Sequence, residues 1–259
     1  MLRTRIIPAL LLHGKSLVKT ERFGNYQYIG DPANTVRIFN ELEVDELCFL
    51  DIKSARTRSA PAFEVLRDIA TECFMPLSYG GGIDSLETAK RIFDTGFEKV
   101  ILNTAAYSNP ELVSQIAHVY GSQAVVVSVD VKHSLFGNAF LTSNGGRVRQ
   151  KGTAKSWCQE MEQRGAGEIL LTSVEREGTW SGFDLDLIAS VSDAVNIPVI
   201  AHGGASKLSD LTDAVCQAGA SAVAVGSMVV FQKKGMGVLV NFPSPSVVEN
   251  LFPELPGTA

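Results

Sequence analysis

Two stretches of this chain are near-copies of each other, Pro76-Leu-Ser-Tyr-Gly-Gly-Gly-Ile83 and Pro198-Val-Ile-Ala-His-Gly-Gly-Ala205. Each is a short apolar run that ends in glycines and leads into an amphipathic helical pattern. The copies lie 122 residues apart, from Pro76 to Pro198, too far for the period of a solenoid. Other pairs keep nearly the same offset. Glu46-Leu-Cys-Phe-Leu50 matches Glu168-Ile-Leu-Leu-Thr172, and Val100-Ile-Leu-Asn-Thr104 matches Val223-Ala-Val-Gly-Ser227. The chain therefore reads as one half-structure repeated.

Strands are expected near residues 5–12, 46–51, 76–79, 99–103, 124–130, 168–173, 198–201 and 222–226. Helical patterns lie between them, near 32–43, 61–73, 86–95, 110–119, 154–164, 184–195 and 207–218. Start signals such as Asp31-Pro32, Asp84-Ser85, Asn109-Pro110 and Ser206 support these. The strand runs are rich in Val, Ile and Leu rather than alternating, as parallel strands buried on both faces should be. Strands that alternate with helices over 259 residues predict an α/β fold, a single (β/α)₈ TIM barrel of two duplicated halves. An eighth helix is expected at 244–251. The segment Gly235-Met-Gly-Val-Leu-Val-Asn-Phe-Pro243 before it is irregular, so 235–259 reads as a divergent tail.

The formal net charge of −5 and the lack of a Lys/Arg run argue against a nucleic-acid partner. No apolar run approaches the ~18 residues of a membrane span, and Met1–Pro8 shows no signal region. Cys48, Cys73, Cys158 and Cys216 have no metal or redox spacing, and His13, His118, His133 and His202 form no metal set. A cytoplasmic protein with no metal and no cofactor is expected.

A glycine turn from strand to helix aims backbone N–H groups at the space above the strand end, where an anion can approach. The bland alternative is two tight turns that need glycine for shape alone. Read as anion sites, one uses Gly81, Gly82, Asn103 and Thr104. The other uses Gly203, Gly204, Gly226 and Ser227, with Gly178 from the loop after strand six. A ligand phosphorylated at both ends would satisfy both. Lys19, in the loop that follows strand one, could close over such a phosphate or be an ordinary solvated lysine.

Chemistry is expected at the C-terminal strand ends. Asp130 and Asp51 end strands there, and a carboxylate in that setting can move protons. Either could instead cap a loop. His202, just before a glycine pair, is placed to touch a ligand at the mouth, or to be a hydrogen-bonded loop histidine. Trp180 could cover the mouth. The repeat supplies a control, because the counterpart of Asp130 is Leu11, which transfers no proton. At the opposite end, Arg5, Glu46, Lys99 and Glu168 stand at strand starts. They are either a solvated face or a ring of two cations and two anions that gates the barrel axis.

Arg5-Ile-Ile-Pro8, Phe49-Leu-Asp-Ile52, Gly80-Gly-Gly-Ile83, Gly121-Ser-Gln123, Gly165-Ala-Gly-Glu-Ile-Leu-Leu-Thr-Ser173, Asn196-Ile-Pro-Val-Ile200 and Gly203-Gly-Ala205 together resemble the cyclase subunit of imidazole glycerol phosphate synthase, over roughly residues 3–231. The resemblance implies a barrel that binds a bisphosphorylated nucleotide derivative. It implies a glutaminase docked on the N-terminal face, with ammonia passing along the axis to the mouth. The family's gate falls on Arg5, Glu46, Lys99 and Glu168, one catalytic aspartate on Asp130, and its loop lysine on Lys19. Its phosphate contacts fall on the glycine turns and on Asn103 and Thr104.

Three departures stand out. The second catalytic aspartate falls on Leu11. The usually small residue before the second glycine pair is His202. The last regular helix is replaced by the tail. A kept gate with half of the acid–base pair missing resembles the cyclase-like paralogues associated with saccharide biosynthesis, which work with a glutaminase and supply a sugar amidotransferase. The expectation is an ammonia-conducting homologue with weak or no cyclase activity. A working synthase subunit of histidine biosynthesis, with Asp51 or His13 replacing the lost acid, is the runner-up. A non-enzymatic bisphosphate sensor that activates a glutaminase is the third reading.

Overall fold

The computed structural model describes residues 4–57, 59–134 and 137–252. The eight barrel strands are β1 (Arg5–His13), β2 (Leu47–Asp51), β3 (Leu77–Gly80), β4 (Lys99–Leu102), β5 (Val125–His133), β6 (Glu168–Ser173), β7 (Val199–His202) and β8 (Ala222–Val225). Each pairs in parallel with the next, and β8 pairs with β1, so the cylinder closes. The expected (β/α)₈ barrel is what forms.

Helices α1 (Pro32–Glu41), α2 (Phe63–Glu72), α3 (Leu86–Asp94), α4 (Glu111–Tyr120), α5 (Ala154–Gln163), α6 (Leu185–Ser192), α7 (Leu208–Thr212) and α8 (Pro245–Leu251) surround it. The caps are local. The Asp31 carboxylate accepts from the Asn34 N–H ahead of α1, and the Ser85 hydroxyl accepts from the Thr88 N–H ahead of α3. Helix α7 is shorter than its pattern predicts, because it runs on into a π turn over Asp213–Gln217.

Each strand is buried on both faces, and the two faces belong to different cores. Ile6, Leu10, Leu47 and Phe49 face the helices. Ile7, Ala9, Cys48, Ile101, Val126, Leu170, Ile200, Ala222 and Ala224 fill the bore. Successive strand residues point opposite ways, so β1 places Ile6 in one core and Ile7 in the other. The absence of polar alternation in the sequence follows from this.

Two additions were not legible. The segment expected as a long loop after β1 is a hairpin, Ser16–Thr20 with Tyr26–Gly30, built on β1. A matching hairpin, Ala139–Ser143 with Val148–Arg149, grows from β5. They follow the first strand of each half, so the duplication extends into the rims. Short helices Ile52–Thr57, Thr104–Ser108 and Ser227–Val230 also ride on the mouth. In the tail, Phe231 bridges Val238, and the Lys234 ammonium donates to the Thr179 carbonyl at 2.9 Å. Residues 253–259 of the expected tail lie outside the described residues. No helix among the described residues is long and apolar enough to cross a membrane.

Candidate functional site

At the N-terminal end of the barrel the four charged strand-start residues meet. Arg5 donates to Glu46 and to Glu168, each at 2.6 Å. The Lys99 ammonium donates to Glu46 at 3.0 Å and to Glu168 at 3.1 Å. The result is a closed ring of alternating sign, not a solvated face. Glu46 is nearly buried, with 4% of its side chain exposed. Burial acts to lower the Arg5 pKa, but the two glutamates outweigh it, and the guanidinium sits above its ordinary value. Just inside the ring lies a cavity of about 10 Å³, lined by Ile7, Glu46, Cys48, Ser78, Ile101, Val126, Leu170, Ile200 and Ala224. That is close to the least volume that holds one water-sized molecule.

At the other end the mouth holds a cavity of about 390 Å³, within the range of small-ligand sites. Leu11, Leu50, Asp51, Gly81, Gly82, Asn103, Thr104, Asp130, Thr172 and His202 all reach its lining. So do Phe23, Arg56 and Glu177, which sequence reasoning missed. The signal for Glu177 was available, since an acidic residue directly before Gly178 follows a strand end. Phe23 and Arg56 arrive through the hairpin and the short helix after β2, whose geometry the sequence did not announce.

Asp130 is buried at the end of β5. Ser128 Oγ donates to it at 3.2 Å and Asn103 Nδ2 at 3.3 Å. Burial drives its pKa up to about 7, although the Ser128 hydroxyl and Lys132 pull the other way. A carboxyl poised there can give or take a proton at neutral pH. Leu11 lies on the same cavity wall and carries no ionisable group, as the repeat predicts.

Asp51 lines the mouth, but its oxygens are engaged. They accept from the Lys53 and Ser54 N–H groups at 3.0 and 2.8 Å, from Ser54 Oγ at 2.7 Å and from Tyr79 Oη at 3.3 Å. It starts the helix Ile52–Thr57, so the capping alternative describes its contacts. His13 stacks on Tyr26 with ring centroids 4.4 Å apart and is not on the cavity lining. Of the two, only Asp51 reaches the cavity. Trp180 is also absent from that lining.

The two glycine turns differ. Gly81 and Gly82 border the cavity beside Asn103 and Thr104. The Asn103 amide donates to the Ser128 carbonyl at 3.0 Å, and Thr104 Oγ1 accepts from the Asn144 N–H at 3.0 Å. Gly203, Gly204, Gly178, Gly226 and Ser227 lie off the cavity lining. A Cβ at Gly226 would strike the Lys19 ammonium, and one at Gly178 would strike the Thr20 carbonyl. Lys19 is thus not a solvated lysine. It is buried, donates to the Ala9 carbonyl, and burial lowers its pKa to about 8 against the pull of Glu177.

Glu177 holds the hairpin down. It accepts from Thr20 Oγ1 at 2.9 Å and from the Phe23 N–H at 3.1 Å. Burial raises its pKa, while the Phe23 N–H and Lys19 oppose the rise. His202 is buried, its Nδ1 lies 3.1 Å from Thr172 Oγ1, and burial followed by Lys19 lowers its pKa to about 3.

Comparison with known proteins agrees with this geometry. Residues 5–234 match the family described as histidine biosynthesis protein. A Pseudomonas aeruginosa protein provisionally named imidazole glycerol phosphate synthase subunit hisF2 is 45% identical over 243 residues, covering 94% of this chain and 97% of its own. A Vibrio vulnificus protein provisionally named subunit hisF3 is 43% identical over 248 residues, 95% of each. A Leptospira borgpetersenii protein provisionally named imidazole glycerol phosphate synthase subunit HisF is 41% identical over 255 residues, 98% of this chain and all of its own. With a model match over most of its length and relatives that align nearly end to end, the chain belongs to the histidine biosynthesis protein family.

Proposed function

We propose that this barrel is a cyclase-type subunit of a glutamine amidotransferase pair. It docks a glutaminase on its N-terminal face and passes ammonia along the bore to the mouth. Cyclisation in its own mouth is slow, and the ammonia supports amidation of a nucleotide sugar or glycan precursor. The names of the relatives support a subunit of imidazole glycerol phosphate synthase type.

The observation that carries the reading is the closed ring Arg5–Glu46–Lys99–Glu168 over an apolar bore. Such a ring excludes bulk water, and a small neutral molecule can pass when one member swings. Lys99 is the member suited to swing. Its bonds are longer than those of Arg5, and an ammonium on a flexible stem leaves a site more readily than a planar fork. The slow cyclisation follows from Leu11, because loss of one proton-transferring group typically costs about 10²–10⁴ in rate. A working cyclase of histidine biosynthesis is the second reading, favoured by the 390 Å³ mouth cavity and the neutral-range pKa of Asp130.

Ala224→Leu tests the conduit, since Ala224 lines the small cavity behind the ring. Turnover of the bisphosphorylated histidine-pathway intermediate is measured with glutamine plus glutaminase, and separately with free ammonium. The expected result is a loss of glutamine-fed turnover of about tenfold or more, with the ammonium-fed rate unchanged. Equal rates from both sources in the variant would remove the conduit from the account. Wild-type turnover equal to that of a two-aspartate relative would establish the second reading.

A further inference from the structure

We propose that His202 is the second group, beside Asp130, that acts on the ligand in the mouth. Its Nε2–H donates a hydrogen bond to the carbonyl oxygen of a phosphorylated carbonyl compound. The inference rests on the reading that ammonia meets such a ligand here.

Register places the pair. In the β5–β6 pairing Asp130 stands level with Thr172, and in the β6–β7 pairing Thr172 stands level with His202. Adjacent strands lie about 4.8 Å apart, so the two backbone positions are roughly 10 Å apart across one strand, and both side chains reach the same cavity. The other candidates are occupied: Asp51 starts a helix, His13 is stacked under Tyr26, and Glu177 holds Thr20 and Phe23. Thr172 Oγ1 fixes His202 Nδ1 at 3.1 Å, which leaves Nε2 as the ring nitrogen for the cavity.

The groups around the ring set its charge. Lys19 acts on it from the hairpin, while Glu177 from the loop after β6 and Asp130 from β5 line the same cavity. Burial, then Lys19, keeps the imidazole neutral at physiological pH. A neutral imidazole is a weak base but a sound hydrogen-bond donor to an oxygen that gains negative charge. The step balances. Ammonia adds to the carbonyl carbon, and the electron pair of the C=O bond moves onto the oxygen, which Nε2–H holds. The Asp130 carboxylate takes the extra proton from nitrogen and returns it to that oxygen. His202 keeps its own proton throughout.

The test uses the full chain with ammonium chloride as nitrogen source, so neither glutaminase nor bore is involved. His202→Leu is expected to lower kcat about 10²–10³-fold with KM little changed, the usual loss of one such donor. His202→Gln, which keeps an N–H, is expected to recover to within about tenfold of wild type. Nitrogen NMR of His202 is expected to show the proton on Nε2 from pH 5 to 9, with a shift of that N–H when the bisphosphorylated intermediate is added. A His202→Leu variant within threefold of wild type, a proton on Nδ1, or an Nε2–H signal unmoved by the intermediate would each overturn the proposal. A wild-type protein that turns over with ammonium but not with glutamine plus glutaminase would count against the conduit alone, and the His202 variants would still decide the proposal.

Discussion

The two halves of the mouth share one sequence pattern and use it differently. Beside the first glycine pair the protein leaves room, so Gly81, Gly82, Asn103 and Thr104 border the cavity. Beside the second the protein fills the room itself, with Lys19 against Gly226 and Thr20 against Gly178. The groups left free to act on a ligand divide in the other sense. The first half offers Leu11, an Asp51 whose oxygens are engaged, an Asp84 that accepts from Thr88 and an Arg56 that donates to the Phe23 carbonyl, while the second offers Asp130, His202 and Glu177. A duplicated barrel can therefore give the space for a ligand to one copy and the proton chemistry to the other. Parallel strands fix where each side chain stands while leaving its chemistry free to change.

The sharpest break in this comparison is Asp130→Asn. Turnover with ammonium should fall about 10²–10⁴-fold, while stability should move the opposite way. Burial holds the Asp130 carboxyl up at about 7, above its ordinary 3.8. Below pH 4 it is protonated in both the folded and the unfolded chain. Between pH 4 and 7 the unfolded chain releases the proton and the folded chain keeps it, so stability falls across that window and stays lowered above it. Asn removes this penalty. The variant should match wild type at pH 4 and exceed it at pH 8 by about 2–4 kcal/mol in urea unfolding. The same difference at both pH values would mean that burial of the charge is not what the site sustains.

Lys19→Met tests the filled side. Burial holds the Lys19 pKa down at about 8. At pH 7 the ammonium is charged in both states, and its desolvation counts fully against folding. As pH rises from 8 to 10.5 the folded chain loses the proton first, and the penalty fades. Met removes the penalty and also the hydrogen bond to Ala9. The net expectation is a gain of about 1 kcal/mol at pH 7 that becomes a loss of about 2 kcal/mol by pH 10.5, where the bond to Ala9 alone counts. A loss at pH 7 would show that the bond to Ala9 outweighs the buried charge.

The barrel was legible because its signals are local and repeated. Apolar runs, caps such as Asp31 and Ser85, and the 122-residue offset each point to the same cylinder. Leu11 opposite Asp130 was legible because the repeat supplies its own reference. What escaped depends on rim geometry. The hairpin after β1 has Arg22 and Phe23 at φ 54° and 59°, conformations that no composition signal announces. Without that hairpin, Lys19 reads as a surface residue and Glu177 as an ordinary loop acid. The two readings of Asp51, proton-transfer group or cap, stayed open in the sequence for a related reason. A carboxylate at a strand end looks the same in sequence whether it faces a ligand or starts a six-residue helix.

The smallest effect concerns how the second half holds the hairpin over the mouth, and Glu177→Gln isolates it. The Glu177 carboxylate accepts from Thr20 Oγ1 and the Phe23 N–H, while its main-chain carbonyl accepts separately from the Arg22 N–H at 2.9 Å. Gln keeps its oxygen for the Phe23 N–H and presents its amide to the Thr20 hydroxyl, which turns to accept. The bond to Phe23 loses the charge of its acceptor, worth about 1 kcal/mol, or roughly a fivefold rise in amide exchange at Phe23. The Arg22 amide, one residue before, is a control, because its acceptor is unchanged. The hairpin on β5 is a second control, since its Asn144 N–H is held by a hydroxyl, Thr104 Oγ1, rather than a carboxylate. Faster exchange at Phe23 alone is the expected result, and it would mean that the carboxylate pins the tip on which Phe23 borders the cavity. Equal acceleration at Phe23 and Arg22 would mean that the hairpin lifts as one body, with the close approach of Thr20 to Gly178 setting its stability instead.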